Sequence, residues 1–247
     1  LNAAYTISNQ VASALDTFTV SISTAFRPQL IQSYSGGNYQ RSTKLMLSMS
    51  KIMYCLYLMI SLPVIIESEY ILDIWLVDYP KFAVNFTIFI LVVKQLNVLN
   101  PALSTSVMAT GDIKKYTIIS CLTICSIIPL SYITLKLTNN PNVVYYWMII
   151  LTIVNQIFCI RITCRQFKGL DMQAYVSGVL RPCTIQTILL IPIVFLSSFL
   201  SEGLFRLILV CTSSGFASIL LFYLFTLNKE EKNLIHSICV SIKTRIK

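Results

Sequence analysis

The stretch FAVNFTIFILVVKQLNVLNPALSTSVMAT, residues 82–110, is a long apolar run with Lys94 near its middle. A lysine at that depth in a membrane is expensive unless something inside the protein uses it. Asn97, Asn100, Pro101 and Ser104 follow at steps of three or four, which places them close to the face that carries the cation. The stretch reads as a membrane-spanning helix with one wet, cationic side, disturbed at Pro101, which has no amide proton to give.

The rest of the chain repeats this pattern. Of its 247 residues 55% are apolar and only 12% charged, a composition far from that of a soluble domain. The fold class expected is an all-α, polytopic transmembrane helix bundle. A span takes roughly 20 apolar residues, and seven stretches qualify or nearly qualify: 1–25, 45–66, 82–110, 116–135, 143–164, 184–201 and 204–227. Pro63, Pro101, Pro129 and Pro192 fall inside four of them. Neighbouring helices satisfy the carbonyls that such prolines free, and the resulting bends lie near substrate paths. The bundle takes in residues 1–228, and residues 229–247 form a basic tail. Leu1 opens directly on an ordered segment with no charged leader region or small-residue cleavage site, so the chain is expected to be part of a longer one.

Lysine and arginine accumulate on the cytoplasmic side of a membrane protein. Loops one, three and five and the tail hold fifteen of the nineteen basic residues, whereas loops two, four and six hold only Lys81, Lys136 and Arg206. The tail is therefore expected in the cytoplasm and Leu1 outside, which itself calls for earlier spans. Loop one contains Arg27-Pro28 and Gly36-Gly37, both helix-breaking pairs. Lys51 lies about two turns into its helix and can snorkel to the inner surface. Lys94 is the basic residue that this distribution leaves unexplained, and among acidic residues only Asp16 falls within a span. The formal charge of +9 is scattered through short loops rather than gathered on one element, so membrane lipids, not nucleic acid, are the expected partners.

The first span is amphipathic throughout. Asn2, Thr6, Asn9, Ser13, Asp16 and Thr17 recur on one face, made of amides and hydroxyls rather than the Lys/Arg of a helix lying on headgroups. That face suits a hydrated cavity, and Asn155 and Gln156 add an amide pair in the fifth span. Loop two, ESEYILDIWLVDYPKF, alternates acids with Tyr70, Trp75 and Tyr79 and reads as a short interfacial helix. Residues 166–179 are expected along the inner interface. The tail from Lys229 suits either an anionic lipid surface or disorder.

The eight cysteines sit mostly in apolar runs without CxxC pairs, so they read as small packing residues rather than metal or disulfide partners. His236 is the lone histidine, and glycine is scarce. Histidine-based triads, multi-histidine metal sites and phosphate-binding loops are thus absent, and neither an enzyme nor a cofactor or metal is expected. Lys94 has three readings: a fixed cation for a phosphate or carboxylate, a structural ion pair with Asp16, or a partner for carbonyls freed at Pro101. Asp16 is either a coupling-ion site or a helix–helix hydrogen-bond partner. Asn9, Ser13, Asn97, Asn100, Ser104, Asn155 and Gln156 are candidate cavity residues, although amides and hydroxyls also hold helices together.

Several strings resemble one family. NAAYTISNQV at 2–11 and FRPQLIQSYSGGN at 26–38 are similar to a helix and following P-x-(I/L)-x-x-x-Y-x-x-G loop of polysaccharide flippases. LPVIIESEYILDIWLVDYP at 62–80 resembles their LP…E…IL-x-x-WLG-x-x-P pattern, with Val77 where the family has Gly, and ATGDIKKY at 109–116 matches ATG-x-IK-x-Y. The resemblance, over about half the chain, is to the O-antigen-type branch of the multidrug/oligosaccharidyl-lipid/polysaccharide exporter superfamily. It implies the second lobe of a two-lobe bundle in the bacterial inner membrane. It also implies alternating-access movement of an undecaprenyl-pyrophosphate-linked oligosaccharide, with polysaccharide assembly proteins as partners. The rival expectations are a MATE-like small-molecule exporter and a membrane polymerase or ligase; the latter calls for a long basic outer loop, and the outer loops here are short.

Overall fold

The computed structural model describes residues 1–76, 78–197, 199, 201, 203–227 and 232. Among these there is no strand, and the chain is a bundle of helices: α1 (Asn2–Ser35), α2 (Tyr39–Ile66), α3 (Ser68–Trp75), α4 (Ala83–Asn97), α5 (Asn100–Thr110), α6 (Lys114–Thr138), α7 (Val143–Gln166), α8 (Met172–Tyr175), α9 (Arg181–Ser197) and α10 (Leu204–Leu221). One π-helical turn, Val176–Leu180, joins α8 to α9, and another, Phe222–Thr226, extends α10. Val77 and, apart from Lys232, the expected tail at 229–247 lie outside the described residues.

Six helical stretches among the described residues are long and apolar enough to cross a membrane: Tyr39–Ile66, Ala83–Thr110, Lys114–Thr138, Val143–Gln166, Met172–Ser197 and Leu204–Thr226. The expected seventh, α1, has the length, about 51 Å at 1.5 Å per residue, but not the apolarity, because its polar stripe runs its whole length. Its buried stripe is small, Ala4, Ser8, Ala12, Leu15, Thr19 and Ser23, so that α1 lies close against α2, α4 and α5. The polar residues Asn2, Thr6, Ser13 and Thr17 face outward.

Two boundaries differ from expectation. Helix α1 does not stop at Arg27-Pro28 but continues through Pro28 to Ser35. Pro28 is on the exposed side, where losing one backbone bond disturbs no packing, and the helix ends instead at Gly36 and Gly37, the latter at φ 78°. Residues from Met172 onward do not lie along the interface but run directly into α9, with Tyr175 and Val179 fully buried. Loop two forms a short helix as expected, α3, whose Leu72 is buried while Ile74 and Trp75 are exposed.

The core joins Met46, Met49, Met53 and Tyr57 of α2, Ile90 and Leu91 of α4, Leu99 and Leu103 at the start of α5, and Tyr145 and Ile160 of α7. Ser61 Oγ donates to Gln95 Oε1 at 3.3 Å and Gln95 Nε2 to the Tyr54 carbonyl at 3.3 Å, tying α2 to α4. Helix α6 pairs with α7 alone among the larger contacts, and Ser131 is its one buried residue. Ile118, Leu122, Ile128 and Leu137 present its apolar face outward, as a lipid-facing helix requires. Helices α9 and α10 pack on α2 at the opposite flank.

The loops sort into two ends. At one, Tyr34 stacks on Phe167, its hydroxyl accepts from Lys168 N–H at 3.4 Å, and Gln166 Nε2 donates to Asp112 Oδ2 at 3.1 Å, so loops one, three and five meet. At the other, Arg206 Nε donates to Glu67 Oε1 at 2.8 Å, joining loops two and six. The alternation read from the basic residues is thus the alternation of the helices. Lys51 does not snorkel: it is 1% exposed, and its Nζ donates to the Thr226 carbonyl at 3.3 Å, where the partial negative charge of a helix C-terminus favours a cation.

Candidate functional site

The 82–110 stretch folds as α4 and α5 with a kink at Val98–Leu99. Pro101 is the cause: it cannot donate to the carbonyl four residues back, Asn97, and its ring crowds that carbonyl. The polar side chains around the kink answer one another. Asn100 Nδ2 donates to Asn97 Oδ1 at 2.9 Å, Asn97 Nδ2 donates to the Val93 carbonyl at 3.2 Å, and Ser104 Oγ donates to the Pro101 carbonyl at 3.1 Å. Asn100 Oδ1 is buried without a hydrogen-bond partner among the described residues.

One turn before Asn97, Lys94 Nζ donates to Asp16 Oδ2 at 2.5 Å, an ion pair that joins α4 to α1. The two side chains are 33% and 31% exposed, so the pair is open at one side rather than sealed in the core. Of the three readings of Lys94, the ion pair is the arrangement present. Where its open side meets water, as in a hydrated cavity, a pair of this kind contributes roughly 1 kcal/mol or less to stability, and either partner can be exchanged there for another charge at low cost.

A cleft of about 400 Å³ opens beside the kink, between α4–α5, α6 and α7. Asn97, Asn100, Ser104 and Asn155 line it together, four of the residues singled out from sequence. Tyr116, Ser120, Thr123 and Thr152 complete its polar wall, and Ile124, Ile127, Met148 and Leu151 its apolar one. Asn155 is held from within α7, where Cys159 Sγ donates to its Oδ1 at 3.6 Å. Ser120 with Thr123, and Thr152 with Asn155, form i, i+3 pairs of polar groups within apolar runs, and that spacing is the signal in the sequence for the three hydroxyl residues.

A second cleft, about 410 Å³, lies on the other side of α5 against α1. Asn100 and Ser104 belong to both clefts, and here they face Thr19, Ser23, Thr24 and Arg27. Asn9 and Ser13 stand apart, in a shallow depression of about 390 Å³ formed with Tyr5, Thr6 and Gln10 on the outer face of α1. Gln156 lines none of these clefts; it is buried, with neither Nε2 nor Oε1 partnered among the described residues. The arrangement offers hydrogen bonds from hydroxyls and amides, one exchangeable ion pair and a helix bend, which are means of binding and moving a polar solute.

No curated protein and no solved structure matches the chain. The family model MatE matches residues 3–133, more than half of its length, covering α1 to α5, most of α6 and therefore the Lys94–Asp16 pair and the kink. The chain belongs to the MatE family, and is a multi-pass membrane transporter of the multidrug/oligosaccharidyl-lipid/polysaccharide exporter superfamily.

Proposed function

We propose that the chain is the second lobe of a flippase that carries an undecaprenyl-pyrophosphate-linked oligosaccharide across the bacterial inner membrane by alternating access. The observation that carries this reading is Lys94, a cation within a membrane helix, two-thirds buried and paired across to α1, one helical turn before Asn97, which lines the cleft of amides and hydroxyls that Lys94 itself does not enter. The physical problem is to move a diphosphate and several sugars through hydrocarbon while the polyprenyl tail stays in lipid. Lys94 offsets the diphosphate charge by exchanging Asp16 for phosphate oxygens. Asp16, so released, is available to a coupling cation. Asn97, Asn100, Ser104 and Asn155 supply hydrogen bonds to sugars, and the bend at Pro101 lets α4–α5 flex as the lobes rock. The outward polar face of α1, with Asn9 and Ser13, lines the cavity against the first lobe, and the chain's C-terminus is cytoplasmic.

Lys94→Ala is expected to abolish export of lipid-linked sugar, measured as surface polysaccharide, while membrane-inserted protein stays at the parental level; full export by this variant overturns the cationic-site reading. A second reading, a small-molecule exporter of the same superfamily, is favoured by one feature, the Asp16 carboxylate, which an organic cation would reach if Lys94 swung away. Lys94 itself repels such a cation. Uptake of a fluorescent organic cation by inverted vesicles, present or absent, separates the two.

A further inference from the structure

We propose that Tyr57 receives the Asp16 carboxylate when Lys94 leaves it for a phosphate, so that the exchange strands no bare anion within the membrane. This rests on the diphosphate reading given above. That reading asks Lys94 to let go of Asp16, and a carboxylate released inside a bundle needs a hydrogen-bond donor or a cation in place of the one it loses. Tyr57 of α2 is 1% exposed, and its hydroxyl is buried with no hydrogen-bond partner among the described residues. A phenylalanine would fill the same space at less cost, because a buried hydroxyl without a partner opposes folding.

Two bonds between α2 and α4 fix where this side chain stands. Gln95, next to Lys94 in α4, donates to the Tyr54 carbonyl and accepts from Ser61 Oγ, both at 3.3 Å. Tyr54, Tyr57 and Ser61 follow one another at steps of three and four, so they share one face of α2, and Tyr57 lies between the two residues that grip Gln95. It is therefore at the level of Lys94, which in turn holds Asp16 of α1. Helix α1 packs along both α2 and α4, and the Asp16 carboxylate lies within electrostatic reach of Tyr57.

Neighbouring donors are already engaged. Gln95 Nε2 is bonded as above, and Asn97 Nδ2 donates to the Val93 carbonyl at 3.2 Å. On α1, Thr17 Oγ1 donates to the Ser13 carbonyl at 3.2 Å and Thr19 Oγ1 to the Asp16 backbone carbonyl at 2.8 Å. The Tyr57 proton has no such claim on it among the described residues. A hydroxyl donates more strongly to a carboxylate than to a neutral acceptor. It also brings no positive charge that would compete with Lys94 when the ion pair forms again. One hydroxyl satisfies one carboxylate oxygen and leaves the other to a coupling cation. Tyr57 thus acts through Asp16 as a positioning residue, without touching the substrate.

The test uses the full chain in phosphatidylcholine nanodiscs, with farnesyl diphosphate as probe and farnesol as control for the tail. Calorimetry reads affinity, and infrared difference spectroscopy with ring-deuterated tyrosine reads the hydroxyl. The diphosphate is expected to shift a tyrosine C–O band in wild type, the alcohol to leave it in place, and both Tyr57→Phe and Asp16→Asn to lose the shift. Tyr57→Phe is expected to bind the diphosphate roughly tenfold more weakly. Its Tm should equal or exceed that of wild type, because the hydroxyl it lacks is unpartnered in the resting bundle. In an Asp16→Asn background the same change should cost no further affinity. Diphosphate binding by wild type without a band shift, a shift that survives in either variant, or equal affinity in Tyr57→Phe overturns the role of Tyr57 and leaves the diphosphate reading intact. No binding by wild type overturns both.

Discussion

Lys94 and Arg206 both bond a carboxylate, yet burial gives the two pairs different weights. Glu67 is 1% exposed, whereas Asp16 and Lys94 each keep about a third of the side chain open. Removing one partner from a buried pair leaves an uncompensated charge and costs about 3–5 kcal/mol; an open pair is worth about 1 kcal/mol or less. In thermal unfolding of the detergent-solubilised protein, Arg206→Met is therefore expected to lower Tm strongly, and the double variant Arg206→Met, Glu67→Gln to recover most of the loss. Lys94→Met should leave Tm nearly unchanged. A large drop in Lys94→Met would show that its pair holds the fold together, and would weaken the case that it serves transport.

Among the elements, the kinked α4–α5 span connects the ion pair to the two clefts. Its bend comes from a single residue: Pro101 removes the donor for the Asn97 carbonyl, and Asn97 and Asn100 then pair side chain to side chain at the break. Pro101→Ala restores that donor. The expected outcome is a helix at least as stable, read as an equal or higher Tm, with export reduced several-fold because the amides and hydroxyl no longer share one cleft wall. Undiminished export in a verified straight helix would separate the bend from function. The π-helical turn at Phe222–Thr226 serves packing instead. Thr226 accepts from Lys51 through its carbonyl and donates from its hydroxyl to Gln186 Oε1 at 3.3 Å, so α2, α9 and α10 are fastened together away from the clefts.

For the whole molecule, the two sides of the bundle differ in what they expose. Helix α6 shows an apolar face, with Ile128 74% exposed, whereas the outward face of α1 mixes Thr6, Ser13 and Thr17 with Tyr5, Phe18 and Val20. Arginine at the centre of a lipid-facing helix costs roughly 2.5–3.5 kcal/mol on insertion. Ile128→Arg is expected to reduce the membrane-inserted yield severely, and Thr17→Lys, on the polar face, to leave it close to wild type. Quantifying membrane-fraction protein checks both. Equal losses would mean that lipid, not water or a second lobe, covers α1.

The all-helical, membrane-spanning class and the alternation of loops are legible in the sequence, because hydrocarbon admits so few residue types that composition and basic-residue placement follow directly from the solvent. The importance of residues 82–110 is legible for the same reason: Lys94 and Pro101 are both unfavourable in a plain apolar helix. Partners are not legible, since they depend on the register between helices far apart in sequence. Register puts Lys94 on Asp16, seats Lys51 under the end of α10, gathers Asn155 but not Gln156 into the cleft, and leaves Asn9 and Ser13 outside it. Helix lengths escape a local reading at Pro28 and at Met172, where breakers and polar residues are outweighed by continuous packing on either side. Composition and pattern alone thus settle which solvent this protein lives in and which of its residues are costly there. Which of those costly residues face one another is settled in the folded bundle, because that depends on how small and large side chains interlock across helices rather than on any one helix's own pattern.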